Sequence, residues 1–199
     1  YVHLPLILRE DGAKLSKRAG DPSFEDLVQM GFLPEAIVNY VALLGWNPGD
    51  EREIFTMEEL IEAFDIERIN KSSAAFSLEK LTWLNGEHIR RLDPQKFHEL
   101  ALKYYPEGVR HLDLEKISRL IQIRIERFTE IPTMVKFLYE LPDYDPALFE
   151  NPKSKSTLQS SREILQEVIP LLESMQEWTN ESLLTVLKDF ATAHGYKIG

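Results

Sequence analysis

The run Lys14-Leu15-Ser16-Lys17-Arg18 divides the chain into a strand-like beginning and a helical remainder. It sets two lysines three residues apart around a serine, in a polar loop. Before it, Leu4-Pro5-Leu6-Ile7-Leu8 reads as a short buried strand. Arg9-Glu10-Asp11-Gly12 follows as a turn whose glycine suits a positive φ. After it, Gly20-Asp21-Pro22 predicts a helix start, with Asp21 as cap and Pro22 at the first helical position. Two ammonium groups and a hydroxyl on such a loop can gather around a triphosphate. The loop can also tighten as charge develops on a leaving pyrophosphate. Taken alone, a basic run of this length suits a solvated surface equally.

Working outward, nearly everything after Arg18 has helical periodicity. Residues 22–30 place Phe24, Leu27 and Val28 on one face and end at Gly31. Pro34 opens a second helix carrying Ile37, Tyr40, Val41 and Leu44, closed by Gly45 and the turn Asn47-Pro48-Gly49-Asp50. Thr56 and Glu59 form a capping-box pattern ahead of Leu60, Ile61 and Phe64. Ser77 caps a helix with Leu78, Leu81 and Leu84, which Asn85-Gly86 is expected to interrupt or end. Asp93-Pro94 is a new cap-plus-proline start, and a domain boundary is placed there. Residues 114–129 read as one long amphipathic helix with Ile117, Leu120, Ile121 and Ile125 inward. Residues 132–141 read as another helix, then come the loop 142–146 and the polar linker 151–155. Helices over 157–175 and from Thr179 to Ala193 complete the chain.

The chain has 199 residues, enough for one sizeable or two small domains. Its net charge of −10 and pI near 5.1 argue against a histone-like binder of nucleic acid, although a local basic face is still open to RNA. The absence of cysteine excludes disulfides and thiolate zinc sites and suits a reducing cytoplasm. No apolar stretch has the length of a membrane span. Tyr1 begins inside an apolar run and Gly199 follows a helix, so the chain is expected to be a piece of a longer protein. His3, His88, His98, His111 and His194 lack metal-ligand spacing, and no metal site is expected. Paired acids such as Glu58-Glu59 and Asp143/Asp145 fit caps and solvated turns. Trp46 and Trp83 sit in apolar patterns and are expected in the core.

Three blocks carry a resemblance. Residues 1–18 (YVHLPLILREDGAKLSKR), 33–49 (LPEAIVNYVALLGWNPG) and 70–90 (NKSSAAFSLEKLTWLNGEHIR) resemble bacterial-type glutamyl-tRNA synthetases, of the class I aminoacyl-tRNA synthetases. The first block is similar to the end of the catalytic domain, with the KMSKS signature as KLSKR. Leu15 stands for methionine, a volume-conserving swap, and Arg18 for the final serine. The resemblance implies a mainly α fold in three parts. Residues 1–20 would be the strand and loop ending the catalytic domain, 21–92 a helical stem-contact domain, and 93–199 part of a helical anticodon-binding bundle. Glutaminyl relatives carry β-barrel anticodon domains, and the helices after Asp93 argue against that branch.

The function implied is ligation of glutamate to tRNA(Glu) through an adenylate. The intact enzyme would use ATP with Mg2+, glutamate and tRNA(Glu), as a cytoplasmic monomer without a membrane. Lys17 matches the second lysine of the signature and is expected to contact the leaving phosphates. Lys14, Leu15, Ser16 and Arg18 complete the ATP-binding loop. The partner signature His-x-Gly-His is absent from this sequence, so the chain is expected to hold half of a split active site and to be inactive alone. For tRNA, Asn70-Lys71-Ser72-Ser73 is one candidate, with Lys71 and Ser72 at phosphates, or else a simple cap loop. Lys116, Arg119, Arg124 and Arg127 form the second, as anticodon-stem contacts or a solvated face, and Arg90-Arg91 a third. The competing class is a non-catalytic helical binding or scaffold module in which the basic run is incidental.

Overall fold

Ile7–Leu8 (β1) pairs in parallel with Ala74–Ala75 (β2), Ile7 opposite Ala74 and Leu8 opposite Ala75. The computed structural model describes residues 4–196, and helices make up most of the remainder. Tyr1, His3 and Gly199 lie outside the described residues. The expected strand over 4–8 narrows to two residues, and it is not buried. Leu4 and Leu6 are 66% and 52% exposed, because the two-residue β2 offers them no ladder partner.

Phe24–Gln29 (α1) is capped by Ser23 in a reciprocal box with Asp26, not by Asp21 as expected. The Asp21 carboxylate is already engaged by Arg9 and by the Ser16 amide. Pro34–Gly45 (α2) begins on its proline as expected. Met57–Ala63 (α3) carries the Thr56/Glu59 capping box. Leu78–Arg91 (α4) starts at the Ser77 cap and runs straight through Asn85-Gly86. That helix is not interrupted, because the Asn85 side chain turns inward and finds backbone partners. Its Oδ1 accepts the Leu33 amide at 2.8 Å, and its Nδ2 donates to the Glu126 carbonyl.

Pro94–Ala101 (α5) follows the Asp93 cap, whose carboxylate accepts the Gln95 and Lys96 amides. Leu114–Ile121 (α6) ends eight residues short of the expected Thr129. The amides of Gln122 and Ile125 still bond back along the chain, and from Glu126 on backbone groups pair across the fold. The Phe128 amide donates to Gly31 O at 3.2 Å, and the Glu126 carbonyl is taken by Asn85. The Thr129 hydroxyl donates to Met30 O at 2.8 Å. Buried Gln122 donates to the Ile89 and Leu92 carbonyls at 3.0 and 2.9 Å, satisfying the end of α4. The expected helix over 132–141 is likewise shorter. Ile131–Met134 (α7) and a 3-10 turn at Lys136–Leu138 replace it, and only Ile131 and Val135 of this stretch are buried.

One core unites these elements. Leu27, Phe32, Ala36, Ile37 and Tyr40 pack with Leu81, Leu84 and Ile89, and onward with Phe97, Ala101, Ile121, Ile125, Phe128 and Ile131. Packing is therefore continuous across Asp93, and the compact units divide between Leu141 and Pro142. A satellite cluster of Trp46, Phe55 and Leu60 anchors α3. Trp46 is core as expected, whereas Trp83 is 38% exposed with the Lys80 ammonium 4.1 Å above its ring.

The second unit holds a 3-10 turn at Pro146–Phe149, then Leu158–Glu173 (α8) and Asn180–Ala193 (α9). Both helices start on threonine capping boxes, and Val168 and Phe190 are its buried apolar residues. Among the described residues no helix is long and apolar enough to cross a membrane.

Candidate functional site

The basic run sits on the return limb of a small hairpin. The Arg9 amide donates to Ala13 O at 2.7 Å and the Gly12 amide to Arg9 O at 3.0 Å, with Gly12 at φ +82°. Leu8 then bridges Lys14 in antiparallel fashion. Ser16 keeps an extended backbone and caps a 3-10 turn, Lys17–Ala19, its hydroxyl accepting the Arg18 amide at 3.3 Å. Gly20, at φ +86°, stops the turn. Lys14, Lys17 and Arg18 are exposed and make no salt bridge among the described residues. Leu15 and Ser16 are half-buried and root the loop. Three uncommitted cations on a formed turn suit a polyanion.

The field around Lys17 reaches α1. The Asp26 carboxyl is held below its usual range by the Ser23 amide first and the Ser23 hydroxyl second, with a smaller pull from Lys17. Glu25 is also lowered, chiefly by a backbone amide, and Lys17 again contributes.

Two residues that sequence reasoning missed hold this turn. Arg9 Nε donates to both Asp21 oxygens, at 2.9 and 3.0 Å, and Arg9 Nη2 donates to Ala19 O at 2.8 Å. Asp21 Oδ2 also accepts the Ser16 amide at 2.7 Å. The hydrogen bond from Arg9 and that from Ser16 hold the Asp21 carboxyl below its usual range, and Asp21 raises Arg9 in return. The available signal was a pair of opposite charges flanking the basic run. Behind the turn lies an open depression of about 510 Å³ lined by Arg9, Leu15, Asp21, Phe76 and Leu78. Glu10, Asp11 and Glu79, which also line it, have the wrong sign for phosphate.

The candidate RNA contacts occupy separate elements. Lys71 and Ser72 are exposed on the turn entering β2, where the Asn70 amide donates to Gly45 O at 2.9 Å. Arg119 lies on α6 and pairs with Glu115. Arg124 and Arg127 belong to the irregular segment beyond α6, so the four cations expected on one helix are not on one helix. Arg127 pairs with Glu130 at 3.2 Å and stands 5.9 Å from the Phe32 ring centre, while Arg124 is exposed. Ion pairs this exposed contribute little and can exchange a carboxylate for a phosphate. On α4, Arg90 pairs with Glu87 at 2.6 Å and Arg91 is exposed.

Two other polar clusters are structural. Ser118 Oγ meets His98 Nδ1 and the Tyr105 hydroxyl, each at 2.8 Å. With Ser118 only 1% exposed, this pairing joins α5 to α6 and offers no accessible nucleophile. Asn39 accepts the Phe55 amide and meets His88 Nε2, each at 2.9 Å, and burial lowers the His88 pKa. Among the described residues no three His, Asp or Glu side chains group as a metal site.

Comparison with known proteins covers both halves of the chain. The family model described as tRNA synthetases class I (E and Q), catalytic domain, matches residues 1–83. The model described as anticodon binding domain matches residues 96–199. A glutamate–tRNA ligase of Clostridium botulinum is 51% identical over 187 residues, which are 94% of this chain and 39% of that protein. One of Clostridium novyi is 45% identical over 204 residues, covering 98% of this chain and 42% of that protein. Among solved structures, a glutamate tRNA ligase from Elizabethkingia meningosepticum, in complex with its amino acid, aligns with a TM-score of 0.79 at 27% identity. That alignment covers 98% of this chain and 42% of the other. The chain thus spans about two-fifths of the length of the relatives it matches.

Proposed function

The chain belongs to the glutamate–tRNA ligase family of class I aminoacyl-tRNA synthetases, and on that premise we propose that it supplies such a ligase with its signature loop and much of its tRNA-recognition scaffold. The parent enzyme activates glutamate with ATP and transfers it to tRNA(Glu). The observation that carries this reading is the formed turn over Lys17–Ala19, which presents uncommitted Lys17 and Arg18 in a chain matched on both sides of the loop.

In this reading Lys17 faces the β- and γ-phosphates and stabilises charge developing on the departing pyrophosphate. Lys14 and Arg18 add positive field, Ser16 holds the turn, and Leu15 roots it beside the core. Mg2+ accompanies ATP as part of the substrate and offsets phosphate charge when bound. Residues 1–20 finish the catalytic domain, 21–92 contact the stem of the tRNA, and 93–199 belong to the anticodon-binding part. Lys71 and Ser72 meet backbone phosphates, as do Arg119, Arg124 and Arg127, fixing register without reading bases. The protein works as a cytoplasmic monomer.

The decisive experiment is aminoacylation by the full-length ligase carrying this segment, wild type against Lys17→Ala, on glutamate and glutamine tRNAs. Undiminished charging by Lys17→Ala would remove the proposed role of the loop. The chain alone is expected to form no adenylate, because the sequence lacks the partner His-x-Gly-His signature. Glutamate- and tRNA-dependent ATP–pyrophosphate exchange by the isolated chain would overturn that expectation. A helical scaffold with an incidental basic run accounts for none of the matched catalytic-domain sequence.

A further inference from the structure

We propose that Arg9 and Asp21 are a positioning pair that sets how Lys17 is presented to the nucleotide. The proposal rests on the reading of Lys17 given above and extends it to two residues that touch no substrate.

The geometry makes the pair a clasp around the basic run. Arg9 lies at the end of the first hairpin limb, and Asp21 follows the glycine that stops the 3-10 turn. Between them are eleven residues, including all five of the run, on a mostly exposed stretch whose apolar anchor is Leu15. A loop so sparsely packed is expected to sample many conformations unless it is tied. The side-chain ties that span the turn from end to end converge on this pair. Both Asp21 oxygens accept the single Arg9 Nε–H, and Oδ2 also accepts the Ser16 amide. Arg9 reaches across to the Ala19 carbonyl, at the far end of the turn. The amide of residue 16 and the carbonyl of residue 19 therefore bracket Lys17 and Arg18 on both sides. Backbone bonds from Asp21 N to Ser16 O at 3.3 Å and from Gly20 N to Lys17 O at 3.1 Å complete the closed ring.

Charge is needed as well as shape. The part-buried Arg9–Asp21 contact is charge-assisted, and because one N–H is shared between two oxygens it can shift between them at little cost. The side chains of Arg9 and Asp21 are 31% and 16% exposed, so the clasp is half-buried and meets water mainly at the arginine, where it can reseat as the loop tightens. The lowered pKa of Asp21 keeps its charge in place at neutral pH. Committing Asp21 to Arg9 also has a local consequence. The Asp21 carboxylate is paired with the arginine, so the carboxylates that feel Lys17 are Glu25 and Asp26 on α1.

The test uses the full-length ligase with Asp21→Asn, Arg9→Ala and Lys17→Ala, singly and combined, in ATP–pyrophosphate exchange with glutamate and tRNA present. Asp21→Asn keeps the side-chain shape and one acceptor oxygen for Ser16, and removes the charge and the second acceptor that grip Arg9. Its kcat is expected to fall about 10-fold, within the ~10²-fold that a misplacement of about 1 Å can cost, with KM for glutamate unchanged. In the Lys17→Ala background the same substitution should cause no further fall, since the pair acts through Lys17. Amide hydrogen exchange on the chain in hand should show residues 16–20 losing protection in Asp21→Asn, with the unfolding midpoint unmoved.

Wild-type kcat in Asp21→Asn, with Lys17→Ala strongly impaired, would overturn the pairing and leave the reading of Lys17 standing. An equal fall in both backgrounds would also overturn it, as a structural defect unrelated to Lys17. If Lys17→Ala itself exchanges like wild type, the reading of Lys17 fails, and the positioning role falls with it.

Discussion

The basic loop and the joint around Asn85 are both held by side chains bonded to backbone, yet by opposite chemistry. In the joint, a buried neutral amide accepts the Leu33 amide and donates to the Glu126 carbonyl, while Gln122 closes the end of α4. Around the loop, a half-buried ion pair does the holding. An unmet buried polar group costs about 1–3 kcal/mol, which makes the joint expensive to open. The half-buried Arg9–Asp21 pair keeps contact with water, so the loop can reseat around a ligand at less cost than the joint can open. Rigidity is thus concentrated where α1, α2 and α4 meet residues 126–129, and adjustability where the triphosphate is expected.

The strongest way to break this contrast is Asn85→Ala. It strips partners from the Leu33 amide and the Glu126 carbonyl together, at about 1–3 kcal/mol each, out of a typical total of about 5–15 kcal/mol. A large fall in the urea midpoint of the chain is expected. A midpoint within experimental error of wild type would show that the joint is not held as described.

Lys17→Ala should do the reverse. Exchange activity of the full-length ligase should drop ~10²–10³-fold, while the unfolding midpoint stays within about 0.5 kcal/mol of wild type, as for surface substitutions away from packing. A variant that lost both together would blur the distinction between loop and joint.

A glycine pair sharpens it further. Gly31 and Gly20 have nearly the same dihedral, φ +90° and +86°. A Cβ on Gly31 would lie 2.7 Å from the Thr129 amide nitrogen, whereas one on Gly20 meets nothing within 4 Å. Both alanine variants incur about 1–2 kcal/mol for the left-handed backbone, and only Gly31→Ala adds the clash. Comparing their thermal midpoints isolates the tertiary contribution, and equal losses would contradict the close approach.

The smallest effect is acid loosening of the loop. The folded pKa of Asp21 is depressed, so its contribution is fully present above the unfolded carboxyl value of about 3.9. It is lost as pH falls through the folded value. The charged group that faces Asp21 is Arg9, itself under the influence of Asp11. The Ser16 amide resonance should therefore titrate below pH ~3.9. The side-chain amide of Asn85 has no proton to gain and should not follow the same curve. A Ser16 amide that titrates in the ordinary carboxyl range would weaken the clasp.

Much of the helical order was legible because it is written locally. Ser77, Asp93, Thr56 with Glu59, and Thr179 are caps whose acceptors sit two or three residues from the amides they satisfy, and each one appears in the structure. The errors have a single physical origin. Asn85-Gly86 looked like an ending because asparagine and glycine are poor helix formers, but a buried partner outweighed propensity. Residues 122–129 kept helical periodicity, yet the Glu126 carbonyl and the Phe128 amide found partners at Asn85 and Gly31, and the Thr129 hydroxyl found one at Met30. In the same way Asp21 looked like a cap until Arg9 took its carboxylate.

By itself, then, the sequence determined the mainly helical class, the caps, the chemistry of the basic run and the family, because all of these reside in residue types at short spacing. Only the tertiary structure decided which helices end early, where the core continues past Asp93, and what holds Lys17 in place. Those outcomes depend on hydrogen-bond partners up to 99 residues away in the chain, as between Thr129 and Met30. A polar group committed to a distant partner leaves no periodic trace in its own neighbourhood.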